Sequence, residues 1–189
     1  MGEPGARTFS HSGFGSLPAG GADAPPDADL KEIMRATIVL LYRRVALFHH
    51  IDVRVIWPDT DPAGIVWFGV FFRYFENAEE ELFRRLGRDR TQVINDLNIF
   101  MPRTSLESRF RSPAKLGDEL SVGVGVAEMT DRRIGYAFDI RERHTDRLIC
   151  EASYRVACVD AKTFVARSFP REVVELLSPA RANGAPTTR

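Results

Sequence analysis

The sequence predicts an α+β domain in which an antiparallel sheet curls around one long helix. Three observations carry this. Phe71, Phe75, Ala78, Leu82 and Leu86 recur at helical spacing, with Phe72 and Phe83 widening the stripe. The segments after Gly87 instead alternate with the period of two that marks a half-buried strand. A single strongly apolar helix must bury its stripe, and a sheet wrapped around it is the available partner.

Taken in order, residues 1–29 hold six of the 14 glycines and four of the 11 prolines, with few large apolar side chains. Such a segment cannot offset its ordering entropy and is expected to be disordered. The folded domain is expected over 30–180, with a flexible tail over 181–189. Residues 30–48 read either as a helix or as a lead into the first strand. "HIDVRVIW" alternates as a strand and ends at Pro58, and a helix from Phe71 to Leu86 follows, closed by Gly87.

Next, "FMPRTSLESRFRSPAKLG" reads as a strand and turn, and "DELSVGVGVAEMT" as a strand with Val122, Val124 and Val126 on one face. Gly123 and Gly125 on the other face are expected to admit the helix closely. "RRIGYAFDIRER" sets Ile134, Tyr136, Phe138 and Ile140 on one face; "HTDR" is a hairpin turn and "LICEASYRVACVDA" another strand. "PREVVELL" reads as a short helix opened by Pro170. Open sheet edges imply strand-to-strand dimerisation.

Composition narrows the function. The 189 residues suit one domain, at 44% hydrophobic, 28% charged and zero net charge. That balance argues for neither nucleic acid nor an anionic membrane, and no apolar run approaches a span. The N-terminus lacks the basic-then-apolar order of a signal peptide. Cys150 and Cys158 on one strand would lie about 26 Å apart, too far to pair, and read as reduced core thiols of a cytoplasmic protein.

No G-x-S-x-G elbow, P-loop or dinucleotide fingerprint is present. His11, His49, His50 and His144 have no metal-ligand spacing, so no metal and no dissociable cofactor is expected. Catalysis, if any, falls to a carboxylate.

The stretch "WPDTDPAGIVWFGVFF" offers one. Asp61 follows a strand, Gly64 permits a sharp turn, and the helix start just beyond presents unpaired N–H groups and partial positive charge. Such N–H groups can polarise a carbonyl and hold an oxyanion while the carboxylate attacks it or activates water. A thioester suits this apparatus, because its thiolate leaves with little acid help. The plainer reading is that Asp59 and Asp61 shape the turn or cap the helix.

The whole stretch "DTDPAGIVWFGVFFRYFENAEEELFRRLG" resembles the signature of the 4-hydroxybenzoyl-CoA thioesterase family of hotdog-fold proteins. The likeness continues in "SRFRSPAKLGDEL" and "CVDAKTFVARSFPREV" and spans about residues 48–178. It implies the hotdog fold, paired into homodimers or homotetramers, and an acyl-CoA substrate. It also implies that Asp61 is the catalytic carboxylate, with the polarising N–H supplied around Phe68 and Gly69. Asp59 becomes a supporting aspartate at the substrate end of the Gly64 turn, Trp67 lines an acyl pocket, and Arg132 and Arg133 hold CoA phosphates.

Three positions depart from the pattern: Phe68 replaces a tyrosine, Val70 an asparagine and Ile134 a basic residue. Arg109, Arg111 and Lys115 form a second basic cluster whose plainer reading is solvated surface. Glu76, Glu79, Glu80 and Glu81 are expected on a solvated or intersubunit helix face, although a sister group of hotdog thioesterases uses a helix glutamate. The resulting expectation is a thioesterase cleaving an acyl-CoA, aromatic acyl groups included. The alternative is a non-catalytic acyl-CoA-binding protein of the same fold.

Overall fold

The structure, a computed structural model, describes residues 47–181. The disordered segment expected over 1–29, the ambiguous stretch up to residue 46 and the tail from 182 lie outside those residues.

A five-stranded antiparallel sheet runs in the order β1-β4-β5-β6-β3, from β1 (His49–Arg54), β3 (Arg103–Phe110), β4 (Glu119–Met129), β5 (Arg133–Glu142) and β6 (Leu148–Ala157). Its inner face carries Leu120, Val122, Val124, Val126, Ile134, Tyr136, Phe138, Ile140 and Val156, all buried, against which α1 (Phe68–Arg85) lies. The aromatic rings interlock across that interface: Phe75 packs on Phe138 and Phe138 on Tyr154, each with centroids 4.9 Å apart. The expected hotdog architecture is therefore present.

Several elements differ from expectation. α1 begins three residues before Phe71, and Phe72 is exposed whereas Tyr74 and Glu79 are buried. A second helix, α2 (Arg90–Asp96), follows where none was expected; its Asp89 cap accepts from the Thr91 and Gln92 N–H groups. Beyond it, β2 (Ile99–Phe100) pairs with β7 (Val159–Asp160) as a small second sheet. β6 thus ends at Ala157, one residue before Cys158, and both cysteines are buried free thiols. The closing helix α3 (Arg171–Leu177) starts at Pro170 as expected.

The glycine face of β4 is also reversed. The valines, which supply apolar area, face the helix, and Gly123 lies on the outer face opposite His50 and Asp139. A Cβ there would fall 2.5 Å from a Leu47 carbon and 2.7 Å from Asp139 Oδ1, so glycine makes room for side chains rather than for the helix.

Candidate active site

β1 leads through a single 3-10 turn (Trp57–Asp59) into a tight loop, where Thr60 bridges to Val66. The Asp61 N–H donates to the Ile65 carbonyl (3.0 Å), and the Gly64 N–H donates to the Asp61 carbonyl (2.9 Å). Gly64 closes this turn at φ +73°, a conformation that costs a side-chain-bearing residue about 1–2 kcal/mol. Asp61 sits half-buried at the tip, its Oδ1 accepting the Ala63 N–H at 2.8 Å. The turn-shaping role of that carboxylate is thus real, and among the described residues Oδ2 has no partner.

The helix starts immediately after the loop, with Trp67 at the cap position and no side chain capping it. The first turn contains no acidic residue, and the Val70 N–H folds back to the Trp67 carbonyl at 2.9 Å. This leaves the N–H groups of Phe68 and Gly69 without an acceptor among the described residues, as the first N–H groups of a helix intrinsically are. The Trp67 indole folds back over Gly69, where a Cβ would stand 2.2 Å from the ring, and packs 5.0 Å from the Phe68 ring. Trp57, Trp67 and Phe68 are all largely exposed, so the helix entrance is an open apolar surface.

Asp59 is the buried joint of this region, 1% exposed. Its Oδ2 accepts from the Tyr74 hydroxyl (2.8 Å) and the Ile56 N–H (3.1 Å), and its Oδ1 pairs with Arg73. Burial alone would raise this carboxyl; the hydrogen bonds from Tyr74, Ile56 and Arg73 outweigh it and hold the group below the usual aspartate range. Burial, then the Asp59 hydrogen bond, pushes the Tyr74 phenol well up. The sequence places Arg73 and Tyr74 within the resembling stretch but shows neither their partner nor their role, although a tyrosine inside an apolar stripe needs a partner for its hydroxyl.

Arg132 and Arg133 are exposed at the opposite end of the sheet. Arg133 pairs with Ala157, whereas Glu142 pairs with Leu120 beside the Val55–Asp118 link near the loop. The nine residue steps of β5 from Arg133 to Glu142 span about 30 Å. One chain alone therefore does not bring these arginines to Asp61. Of the second basic cluster, Arg109 and Arg111 pair with Glu107 and Glu151, while the Lys115 backbone bridges to Ile65 beside the Asp61 turn.

The helix glutamates also divide. Glu76 is half exposed, but Glu79 is 0% exposed, against the solvated or intersubunit face expected for it. It accepts from Tyr154 and from Arg103 (2.7 Å), which supply the partners a buried carboxylate requires.

The sheet curled around the central helix is the hotdog architecture. The sequence profile of the Thioesterase-like superfamily matches residues 55–177, and the chain belongs to that superfamily as a thioester hydrolase. A relative, the acyl-CoA thioesterase YbgC of Haemophilus influenzae, is 30% identical over 121 residues, covering 64% of this chain and 88% of that protein. The 1,4-dihydroxy-2-naphthoyl-CoA hydrolase of Thermosynechococcus vestitus is 29% identical over 94 residues, which is 50% of this chain and 64% of that one. In fold, the chain resembles the crystal structure of a 1,4-dihydroxy-2-naphthoyl-CoA thioesterase from Synechocystis. The TM-score is 0.64 at 20% identity, over 68% of this chain and 94% of that one. No helix among the described residues is long and apolar enough to cross a membrane.

Proposed function

We propose that this protein hydrolyses acyl-CoA thioesters to a free acid and CoA, with aromatic acyl groups among its substrates. The observation that carries this is the uncapped start of α1, whose Phe68 and Gly69 N–H groups are unpaired next to the Asp61 turn. The thioester carbonyl oxygen would sit on those N–H groups. Asp61 would then take a proton from the attacking water, or attack the carbonyl carbon itself, with the thiolate of CoA leaving in either case. In the second case water would hydrolyse the resulting aspartyl anhydride, releasing the acid and restoring the carboxylate. Oxyanion donors of this kind are each worth about 3 kcal/mol of barrier. The naphthoyl-CoA relatives and the exposed Trp67 and Phe68 rings support an aromatic acyl group.

The site is read as belonging to a homodimer or homotetramer in the cytoplasm. β3 is an edge strand exposed along most of its length, with Leu106 and Phe110 about half exposed, and Phe110 packs on Phe71 in the first turn of α1. A second copy on that edge would enclose the helix entrance. The two free buried thiols fit a reducing compartment.

Release of CoA thiol from benzoyl-type and aliphatic acyl-CoAs, by the parent protein and by Asp61→Asn, tests the reading. Turnover by the parent and a loss of about 10²–10⁴-fold in the variant are expected. Tight binding of acyl-CoA with no turnover by the parent would instead establish the non-catalytic alternative.

A further inference from the structure

We propose that Arg73 and Tyr74 are positioning residues of this site. They hold Asp59 as the joint that fixes the Asp61 turn relative to the N–H groups at the start of α1. The inference rests on the Asp61 reading given above.

The argument is one of connectivity. The Asp59 backbone carbonyl accepts the N–H of Trp67, the residue directly before the helix, at 2.9 Å, and its own N–H donates to the Ile56 carbonyl at 3.0 Å. Its side chain is gripped from the second turn of the helix by Tyr74 and Arg73, and from the incoming chain by the Ile56 N–H. One buried residue thus ties together the exit of β1, the base of the loop two residues ahead of Asp61, and two separate levels of α1. The loop cannot slide along the helix start without stretching one of these links. Catalytic rates depend steeply on such register, because misplacement by about 1 Å can cost 10²-fold.

The two donors do different work. Tyr74 is buried, 1% exposed, and supplies direction. Arg73 is 53% exposed, lies 5.7 Å over the Tyr74 ring, and supplies charge. Asp59 is a buried anion on the residue whose backbone carbonyl is bonded to Trp67 N–H at the helix entrance, where a reacting carbonyl would develop negative charge. Uncompensated, it would oppose that charge; the Arg73 guanidinium offsets it.

The experiment measures kcat and KM, on an acyl-CoA that the parent cleaves, for Tyr74→Phe, Arg73→Gln, Arg73→Lys and Asp61→Asn, with thermal unfolding of each. Tyr74→Phe and Arg73→Gln are expected to lose about 10- to 100-fold in kcat with KM within about twofold, while still folded at the assay temperature. Arg73→Lys, which keeps the charge, is expected to recover most of the loss. Arg73→Gln changes a half-exposed side chain, so it reports even if Tyr74→Phe does not fold. Turnover equal to the parent in folded Arg73→Gln or Tyr74→Phe, beside a collapsed Asp61→Asn, overturns the positioning role alone. Full activity in Asp61→Asn overturns the site reading and this inference with it.

Discussion

Glu79 on α1 and Tyr154 on β6 share a 2.5 Å hydrogen bond in the middle of the core, with Glu79 fully buried and Tyr154 3% exposed. Arg103 from β3 reaches the same carboxylate oxygen at 2.7 Å, and Arg90 from α2 lies 3.4 Å from the other. Helix, edge strand and sheet are thus pinned to one charge. Removing that charge leaves two arginines without their main partner, which typically costs 3–5 kcal/mol in a buried pair. Because Arg103 is 31% exposed, Glu79→Gln is expected at the lower end, about 3 kcal/mol, in urea unfolding. A change below about 1 kcal/mol would mean the cluster does not support the fold.

Asp59 makes stability depend on acid. Its carboxyl titrates lower in the folded chain than in the unfolded one, so the native state binds fewer protons in that window. The stabilisation is complete above the unfolded value of about 4 and is lost as pH falls through the folded one. The stability gap between the parent and Asp59→Asn should therefore be widest near neutrality and shrink below about pH 4. Unfolding midpoints measured from pH 7 to pH 3 check this, and a constant gap would contradict it.

Gly69 is glycine for the sake of Trp67, because a methyl group there enters the indole ring. The ring is half exposed and can swing outward, so Gly69→Ala should cost little stability and could gain up to about 1 kcal/mol of helix propensity. In a Trp57→Phe background the remaining Trp67 emission should shift. Unchanged emission would show that the indole does not lie over Gly69.

The two cysteines should be chemically silent. Burial pushes the Cys150 thiol up to about 12 and raises Cys158 as well. The reactive thiolate is therefore scarce at pH 8. Labelling by a thiol reagent should proceed only after denaturation, and rapid labelling of the native protein would place one thiol at the surface.

How much of this was legible beforehand depended on whether a residue's role was local. Phe71, Phe75, Ala78 and Leu82 announced the helix, and the Val122–Val126 alternation announced a strand, because periodicity records a buried face directly. The sequence places the helix start three residues late because Trp67 supplies no polar cap; the entrance is fixed instead by the Asp59 carbonyl. α2 is not legible in the sequence, although Asp89 is a good cap signal, since seven residues carry too little periodicity. The sequence places Glu79 on a solvated or intersubunit face because its partners Arg103 and Tyr154 lie 24 and 75 positions away. The Asp61 turn is legible in the Asp-Pro-Ala-Gly stretch, and the Arg73–Tyr74 pair lies within the stretch that carries the family resemblance; its role is not legible, because its grip on Asp59 joins residues 14 and 15 apart.

The separation of Asp61 from Arg132 and Arg133 along β5 has a genetic consequence. If those arginines anchor the phosphates of a substrate cleaved at Asp61, the two ends of one substrate rest on two different copies of the chain. A chain defective at Asp61 and a chain defective at Arg133 would then each be inactive by itself. Mixed together they would rebuild intact sites by complementation, and damage to one allele could be masked by a different lesion in the other.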